Sequence, residues 1–230
     1  MPPKLLFLET ATEVCSVALS KGNEIVAALS SHKGNSHAEQ LFSFIELVLI
    51  EGNCKISELD SVGLSMGPGS YTGLRIGASA AKGICYTLNI PLIGISTLQS
   101  IAFGALQPQK ESQNILYCPM IDARRMEVFT ALFNAKGEQI TKVDNKIIDE
   151  HSFAHELENN TIYFCGNGMP KCKPVLKHKN AYFIDTLLNA SDMLLPALLK
   201  YENHKFEDVA YFEPFYFKEY VAKKSSVKGL

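Results

Sequence analysis

The sequence Met66-Gly67-Pro68-Gly69-Ser70-Tyr71-Thr72-Gly73-Leu74-Arg75-Ile76-Gly77 is the stretch that decides the fold of this chain. An apolar run at residues 62–66 precedes it, and an amphipathic segment of small residues follows at 74–88. Glycine on both sides of Pro68 allows a sharp turn, because glycine tolerates positive φ and proline fixes its own φ. Ser70 or Thr72 can cap the helix that follows. The stretch therefore predicts a strand, a tight turn and a helix.

A Gly-rich turn that opens a helix has two interpretations. Backbone N–H groups at a helix N-terminus suit an anion such as phosphate. The sequence G-P-G-S-Y-T-G, however, matches neither the Walker pattern nor G-x-G-x-x-G, and most turns between a strand and a helix bind nothing. It is also not the G-x-S-x-G elbow of a serine nucleophile. An anion site and a purely structural turn both stay open.

The helix after this turn has a bare side, formed by Gly73, Gly77, Ala80, Ala81 and Gly83. Glycine in a helix interior costs about 1 kcal/mol relative to alanine, so three glycines need a structural reason. We expect another helix to approach this side closely. A helix of the same chain and a helix of a partner chain both fit the spacing.

The composition indicates a globular, cytoplasmic protein. The chain has 230 residues, of which 47% are hydrophobic, and is long enough for one large or two small cores. Its first apolar run, residues 5–8, is far shorter than the h-region of a signal peptide. No stretch of about 18 apolar residues marks a membrane span, so we expect no membrane association.

The cysteines and the net charge argue against disulfides, a zinc site and direct binding of nucleic acid. The six cysteines include no C-x-x-C pair, which predicts reduced thiols in the core rather than disulfides or zinc ligands. The formal net charge is −2, whereas a protein that binds nucleic acid by itself usually has a basic face. Only residues 218–228 are locally basic, and their four lysines are typical of a solvated segment.

Hydrophobic periodicity predicts the elements of the first half. An antiparallel meander of three short strands has a hairpin turn at Lys21-Gly22-Asn23. A capping box, Ser36 to Glu39, opens an amphipathic helix that ends near residue 52. The predicted strands are residues 5–8, 14–19, 25–30, 62–66 and 92–95. The last predicted helix of this half is a short one at residues 96–104.

The second half restarts with strands and is expected to be a degenerate copy of the first. The polar segment 107–113 predicts a domain boundary, which gives domains 1–106 and 107–230. No repeat is visible in the sequence, so the copy rests on the order of elements. The predicted strands are 116–121, 126–133, a strand ending at 148, 162–165 and 182–185, and the predicted helices are 149–158, capped by Asp149, and 191–201.

The run from Gly67 to Gly77 resembles the signature of the TsaB (YeaZ) family, the non-catalytic subunit of the bacterial tRNA threonylcarbamoyladenosine synthase. The matches extend over about nine-tenths of the chain, in the family's order and spacing. They are Glu9-Thr10-Ala11-Thr12-Glu13, Cys15-Ser16-Val17-Ala18-Leu19, Ile90-Pro91-Leu92-Ile93-Gly94-Ile95-Ser96-Thr97-Leu98, Ile121-Asp122-Ala123-Arg124, Glu213-Pro214 and Tyr220-Val221-Ala222.

The resemblance implies an α/β fold of two actin-like (ASKHA, ribonuclease H-like) domains. It also implies a scaffold that partners the catalytic TsaD subunit and the TsaE ATPase, and that meets tRNA only through the complex. That complex transfers a threonylcarbamoyl group to the tRNA adenosine next to the anticodon. No catalytic residue and no cofactor are expected in the isolated chain, while ATP or ADP at the subunit interface is left open.

The resemblance places the partner surface on the two helices of the first domain. The same apolar face predicts a homodimer when the chain is alone. Arg75 can pair with Glu39 or Glu46 of the first helix, or with an acid of a partner. The residues expected at this interface are Leu41, Ile45, Gly73, Arg75, Ile76, Gly77, Ala80 and Lys82.

Enzymes of the actin-like superfamily hold a nucleotide between their domains, and four residues here occupy comparable places: Glu9, Glu13, Gly166 and Gly168. The hairpin between the first two strands lacks a glycine that would let its backbone approach a phosphate. Two carboxylates also repel a phosphate unless a metal intervenes. Because Met169-Pro170 is expected to stop a helix from starting after the glycines, a simple turn is the competing interpretation.

A metal site is not expected. His151 and His155 are spaced i, i+4 on a predicted helix, which suits zinc but equally fits a solvated helix face. The related catalytic subunit carries its metal-binding H-x-x-x-H just after a strand similar to 92–95. Thr97 and Ile101 occupy the corresponding places here and cannot bind iron or zinc.

Two alternatives come from other classes of protein. A self-sufficient, ATP-using enzyme of the kinase type predicts nucleotide affinity in the isolated chain and dependence on Glu9, Glu13 or the Gly166 loop. A metallopeptidase predicts one bound metal that is lost when His151 or His155 is changed.

Overall fold

The computed structural model describes residues 1–32, 37–106 and 114–217. The chain forms two sheets with helices packed against them. The strands are β1 Lys4–Glu9, β2 Cys15–Lys21, β3 Glu24–Ser31, β4 Ser61–Gly67, β5 Leu92–Ser96, β6 Ile115–Asp122, β7 Glu127–Thr130, β8 Phe133–Asn134, β9 Asp144–Ile147, β10 Thr161–Cys165 and β11 Ala181–Ile184. The α-helices are α1 His37–Glu51, α2 Tyr71–Leu88, α3 Thr97–Ala105, α4 Ala154–Asn159, α5 Met169–Cys172 and α6 Leu194–Glu202.

The first sheet confirms the elements predicted for the first half. Its strand order is β3-β2-β1-β4-β5, with an antiparallel meander followed by parallel β4 and β5. Parallel strands need crossover connections, and the helical segments between β3 and β5 supply them. The hairpin turn has Gly22 at φ +62°. The predicted capping box begins at Ser36, which lies outside the described residues.

The second sheet has the order β11-β10-β6-β7-β9, with β8 also paired to β6. The single strand predicted at 126–133 is wrong, because the structure divides it into β7 and β8. At the break, the N–H of Leu132 donates to the Thr141 hydroxyl at 2.8 Å instead of continuing a ladder. The strand predicted to end at 148 is observed as the shorter β9.

Two helix predictions in this half are corrected. The helix expected from Asp149 begins only at Ala154, because the Asp149 carboxylate accepts from the Ser152 hydroxyl at 2.8 Å and forms a local turn. The expected block by Met169-Pro170 is also wrong. Helix α5 starts directly after Gly168, since proline lacks only an N–H that the first helical turn leaves free anyway.

The two halves interlock through helices. Apolar side chains of α3 share a buried cluster with those of β6 in the core of the second sheet, and this cluster includes Leu98 and Tyr117. Conversely, a 3₁₀-helix at Ala190–Met193 and α6 close the back of the first sheet, where Met193 joins a cluster with Phe7 and Ile95. The boundary segment predicted at 107–113 lies outside the described residues, so the division into 1–106 and 107–230 stays a prediction.

Candidate functional site

A cleft of about 900 Å³ opens between the two sheets. The loop after β1, the start of α1, the Gly-rich turn with the first turns of α2, and the end of β6 form its walls. Its lining residues include Ala11, Thr12, Glu13, His37, Gly69, Ser70, Tyr71, Thr72, Gly73, Ile76, Ile121, Asp122, Arg124, Phe129 and Asn167. The Gly-rich stretch therefore lies at the meeting point of the two halves.

The Gly-rich turn is fixed against the loop that follows β1. Ser70 caps α2, because its hydroxyl accepts from the N–H of Gly73 at 3.3 Å, and its own N–H donates to the carbonyl of Ala11 at 2.7 Å. A Cβ on Gly69 would clash with that same carbonyl. Glycine is thus required here for close packing of backbone on backbone, which supports the structural interpretation of the turn.

The bare side of α2 packs against the chain's own loop. A Cβ on Gly73 would clash with the carbonyl oxygen of Thr10, and a Cβ on Gly77 with its hydroxyl. The Thr10 hydroxyl donates to the carbonyl of Gly73 at 2.8 Å and locks this contact. At Gly73 and Gly77, the expectation that a helix approaches this side is therefore wrong, because the neighbour there is a loop. Gly83 differs, since a Cβ there would meet nothing within 4 Å.

Five of the residues expected at the partner interface are enclosed within the chain. Their burial comes from packing on the first sheet and on the Thr10 loop, so their side chains are not available to a partner. This corrects the sequence expectation for Leu41, Ile45, Gly73, Gly77 and Ala80. Of the other three, Arg75 is exposed, and Ile76 and Lys82 are half-buried.

The side of these helices that faces solvent carries different large apolar residues. Phe42, Leu47 and Ile50 on α1 are 61%, 51% and 67% exposed, and Tyr86 on α2 is 84% exposed. We call these four residues together with Arg75 the outer helix face. The sequence did contain a signal for this surface, which we missed. A helix with one buried face needs apolar residues only in its i, i+3, i+4 stripe, so the extra apolar residues of α1 outside that stripe indicate a second, exposed apolar surface.

The two cationic side chains of α2 bond within the chain. Arg75 donates to the Tyr216 hydroxyl at 3.3 Å and lies over the Tyr71 ring, instead of pairing with Glu39 or Glu46 as expected. The Lys82 ammonium donates to the carbonyl oxygens of Ala210 and Phe212 at 3.0 and 3.1 Å. The acceptors of these three hydrogen bonds are neutral oxygens, so these contacts are hydrogen bonds and not ion pairs.

Glu9 is fully buried and is not among the residues that line the cleft. Its carboxylate accepts from the N–H of Ala11 at 2.6 Å and from the hydroxyl of Ser65. Burial raises the pKa of this carboxyl group from 4.5 to about 7, against the opposing effect of these hydrogen bonds. Glu9 therefore links the loop after β1 to β4, which corrects the prediction that it faces a nucleotide.

The structure brings Glu13 and the glycine loop together. The side-chain amide of Asn167 donates to the Glu13 carboxylate at 2.8 Å, and its oxygen accepts from the N–H of Asp122 at 3.1 Å. A Cβ on Gly166, which has φ +88°, would lie 2.6 Å from the carbonyl of Met120. These contacts give the loop a packing role, and its binding of a nucleotide stays a prediction.

His151 and His155, whose i, i+4 spacing would suit zinc on one helix, do not share a helix face. His151 precedes α4 and is exposed, with Glu150 3.6 Å away, whereas His155 lies within the helix. The geometry assumed for a metallopeptidase is therefore wrong. Across residues 1–32, 37–106 and 114–217, no group of three or more His, Cys, Asp or Glu side chains is arranged to hold a metal ion.

All six cysteines are buried thiols, as predicted. Burial raises their pKa values, for example to about 11 for Cys15 and to about 12 for Cys85. A thiol that resists ionisation is a poor nucleophile and a poor metal ligand, so these cysteines act as small core residues.

Two interlocked α/β sheets with a cleft between them define an actin-like, two-domain protein, and solved structures support this class. The chain is similar to YeaZ from Pseudomonas aeruginosa, with a TM-score of 0.79 and 23% identity over 94% of this chain and 100% of that one. It also resembles component A of the Acidaminococcus fermentans (R)-2-hydroxyglutaryl-CoA dehydratase, with a TM-score of 0.51 and 11% identity over 88% and 99% of the two chains. The predicted fold class is confirmed.

The family model described as TsaD, tRNA N6-adenosine threonylcarbamoyltransferase, matches residues 29–225. Curated relatives include the tRNA threonylcarbamoyladenosine biosynthesis protein TsaB of Escherichia coli K12, 28% identical over 96% of this chain and 97% of the relative. The TsaB of Buchnera aphidicola from Acyrthosiphon pisum is 28% identical over 86% and 90% of the two chains. The chain belongs to this family, in its TsaB (YeaZ) branch.

Proposed function

We propose that this chain is a non-catalytic scaffold subunit in the biosynthesis of tRNA threonylcarbamoyladenosine. It partners the catalytic TsaD subunit and the TsaE ATPase, contacts tRNA only through that complex, and acts in the cytoplasm. The names of its curated relatives support the pathway. The outer helix face supports the scaffold role.

The outer helix face is the observation on which the proposal depends. Phe42, Leu47, Ile50 and Tyr86 each leave more than half of their surface exposed, on two neighbouring helices. Large apolar side chains exposed on neighbouring helices are typical of a protein–protein interface. Burial of Phe42 and Ile50 alone against a partner would contribute about 1.5–3 kcal/mol for each side chain. In the isolated chain, the same face forms a homodimer.

The arrangement of polar groups fits a scaffold better than an enzyme. Glu9 is enclosed, and the glycine loop is occupied by contacts with β6. At the two places where the catalytic subunit has its metal-binding histidines, Thr97 and Ile101 lie buried in the protein. Bond-making groups are therefore assigned to the TsaD partner.

The test mixes this chain with the TsaD subunit of the same organism and measures molar mass by light scattering. Ile50→Asp and Phe42→Asp place a charge on the outer helix face and are expected to weaken the heterodimer at least tenfold. The matched control is Leu199→Asp on α6, which is 57% exposed and lies away from this face. If Ile50→Asp and Leu199→Asp assemble equally well, the outer helix face is not the interface.

The cleft favours one alternative, a self-sufficient ATP-using enzyme of the kinase type. Its volume of about 900 Å³ accommodates a nucleotide, and the N-terminus of α2 opens into it. Calorimetry with ATP and ADP separates the two functions. The scaffold predicts no binding to the isolated chain and allows binding only after TsaD is added. Micromolar binding to the isolated chain that is lost in Glu13→Ala would favour the enzyme.

A further inference from the structure

A strap at residues 206–217 follows α6 and crosses back over the first sheet. The N–H of Glu207 donates to the carbonyl of Leu92 at 2.9 Å, beside edge strand β5. Phe212 is buried in the hydrophobic core of the first sheet. The Lys82 ammonium donates to the carbonyl oxygens of Ala210 and Phe212, on either side of Tyr211. The first part of the strap is thus held by buried apolar contact and by backbone hydrogen bonds.

The strap then passes directly over the Gly-rich turn. The N–H of Phe215 donates to the carbonyl of Met66 at 2.6 Å. Gly67 has φ +112°, and a Cβ there would lie 2.5 Å from the carbonyl oxygen of Phe215. Glycine at this position is therefore required both by the turn and by the strap that covers it.

The last two residues of the strap contact opposite walls of the cleft. The Tyr216 ring lies 5.0 Å from the ring of Tyr71, at the start of α2. The Phe217 ring lies 5.5 Å from the ring of Phe129, on strand β7 of the second sheet. Tyr71 and Phe129 both line the cleft. Tyr216 and Phe217 are neighbours in the chain, with Cα atoms about 3.8 Å apart, so together they tie one wall closely to the other. If either contact is lost, this link between the walls is broken.

This end of the strap is also its weakest part. Besides the ring contacts and the packing of half-buried Phe217 against the core of the second sheet, it is held by the bond from Arg75 to the Tyr216 hydroxyl. The 3.3 Å length of this bond is long for an N–H···O hydrogen bond. Arg75 is exposed, so water competes for the guanidinium. Release is therefore easier at Tyr216 and Phe217 than at Phe212.

We propose that the strap is a clasp for the cleft. With Tyr216 and Phe217 in place, it holds the two walls at a fixed separation. When that end detaches from Arg75, the β7 wall moves away from α2 and the cleft widens. This inference goes beyond the scaffold function, because it concerns movement within one chain and needs no partner.

The experiment measures the width of the cleft by double electron–electron resonance between two spin labels on the full chain. Nitroxide labels at Thr72→Cys and Arg124→Cys report on the two walls, and unmutated protein treated with the label shows whether the buried native thiols stay unlabelled. Phe217→Ala and Arg75→Met are combined with this labelled pair. The control is Tyr211→Ala, which removes a tyrosine of the same strap that is 84% exposed.

A clasp predicts a distance distribution shifted to longer values by several ångströms, and broadened, in Phe217→Ala and Arg75→Met but not in Tyr211→Ala. An unchanged distribution in both test variants would overturn the proposal. If Phe217→Ala fails to fold by circular dichroism, Arg75→Met decides, because it changes an exposed side chain. In that case a shift supports the clasp, and the unmutated distribution overturns it.

Discussion

The side-chain amide of Asn167 donates a 2.8 Å hydrogen bond to the carboxylate of Glu13, although 154 residues separate them in the sequence. The bond joins the loop after β1 to the glycine loop after β10. Both residues line the cleft, so this contact, like the strap, helps to set the relative position of the two walls.

The coupling between these two residues can be measured in a double-mutant cycle. We expect Asn167→Ala and Glu13→Ala to be non-additive by about 0.5–1 kcal/mol in the free energy of unfolding, since each removes the same hydrogen bond. Urea denaturation of the wild type, both single variants and the double variant gives the value. Glu24→Ala, another exposed glutamate, is the control and should be additive with Asn167→Ala. Strict additivity in both pairs would show that the contact adds nothing to stability.

Two glycines of α2 should respond in opposite directions to the same substitution. Gly73→Ala is expected to lower the free energy of unfolding by at least about 2 kcal/mol, because its Cβ meets the backbone of Thr10. Gly83→Ala has open space and should raise the free energy of unfolding by up to about 1 kcal/mol through helix propensity. Chemical denaturation checks both. Equal effects would mean that the Thr10 loop does not limit this side of the helix.

Burial of Glu9 predicts that stability depends on pH. Its carboxyl pKa is about 7 in the folded protein and 4.5 as the ordinary value, so the folded state binds the proton more tightly. The contribution of Glu9 to the free energy of unfolding, up to about 3 kcal/mol, is fully present below pH 4.5 and is lost as the pH rises through 7. Burial also raises the pKa of Asp192, from 3.8 to about 6. Asp192 therefore adds a further loss of stability as the pH rises from about 3.8 to 6.

Glu9→Gln should remove the slope above pH 6, where Asp192 no longer contributes, and should keep the part due to Asp192 below pH 6. Denaturation midpoints measured from pH 4.5 to 8 test it, with Glu24→Gln as an exposed control that keeps the wild-type slope. A variant Glu9→Gln that loses stability with rising pH as steeply as the wild type would show that another group is responsible.

The buried thiols predict resistance to thiol reagents. In the folded protein, we expect Ellman's reagent to react with none of the six cysteines within minutes, because each is enclosed and burial opposes thiolate formation. In denaturant, all six should react. Rapid reaction of one thiol in the folded state would identify a site of local opening.

Local features were predicted well because they depend on neighbours in the sequence. The strands of the first sheet follow apolar runs, the hairpin follows Lys21-Gly22-Asn23, and Ser70 caps α2 because its hydroxyl reaches the first free N–H groups of its own helix. The errors in the second half, at Asp149 and at Met169-Pro170, arose where one side chain permits two local structures.

The sequence by itself determined the strand–turn–helix unit and the order of the elements, since these depend on dihedral preferences and on periodicity along the chain. The family resemblance came separately, from short motifs in the family's order and spacing. Only the tertiary structure decided what each face contacts. It placed Leu41 and Ile45 in the core, set Gly73 and Gly77 against Thr10, and brought Glu13 to Asn167. The reason is that a helix periodicity shows that a face is covered, whereas the identity of the cover depends on how segments far apart in the sequence pack together.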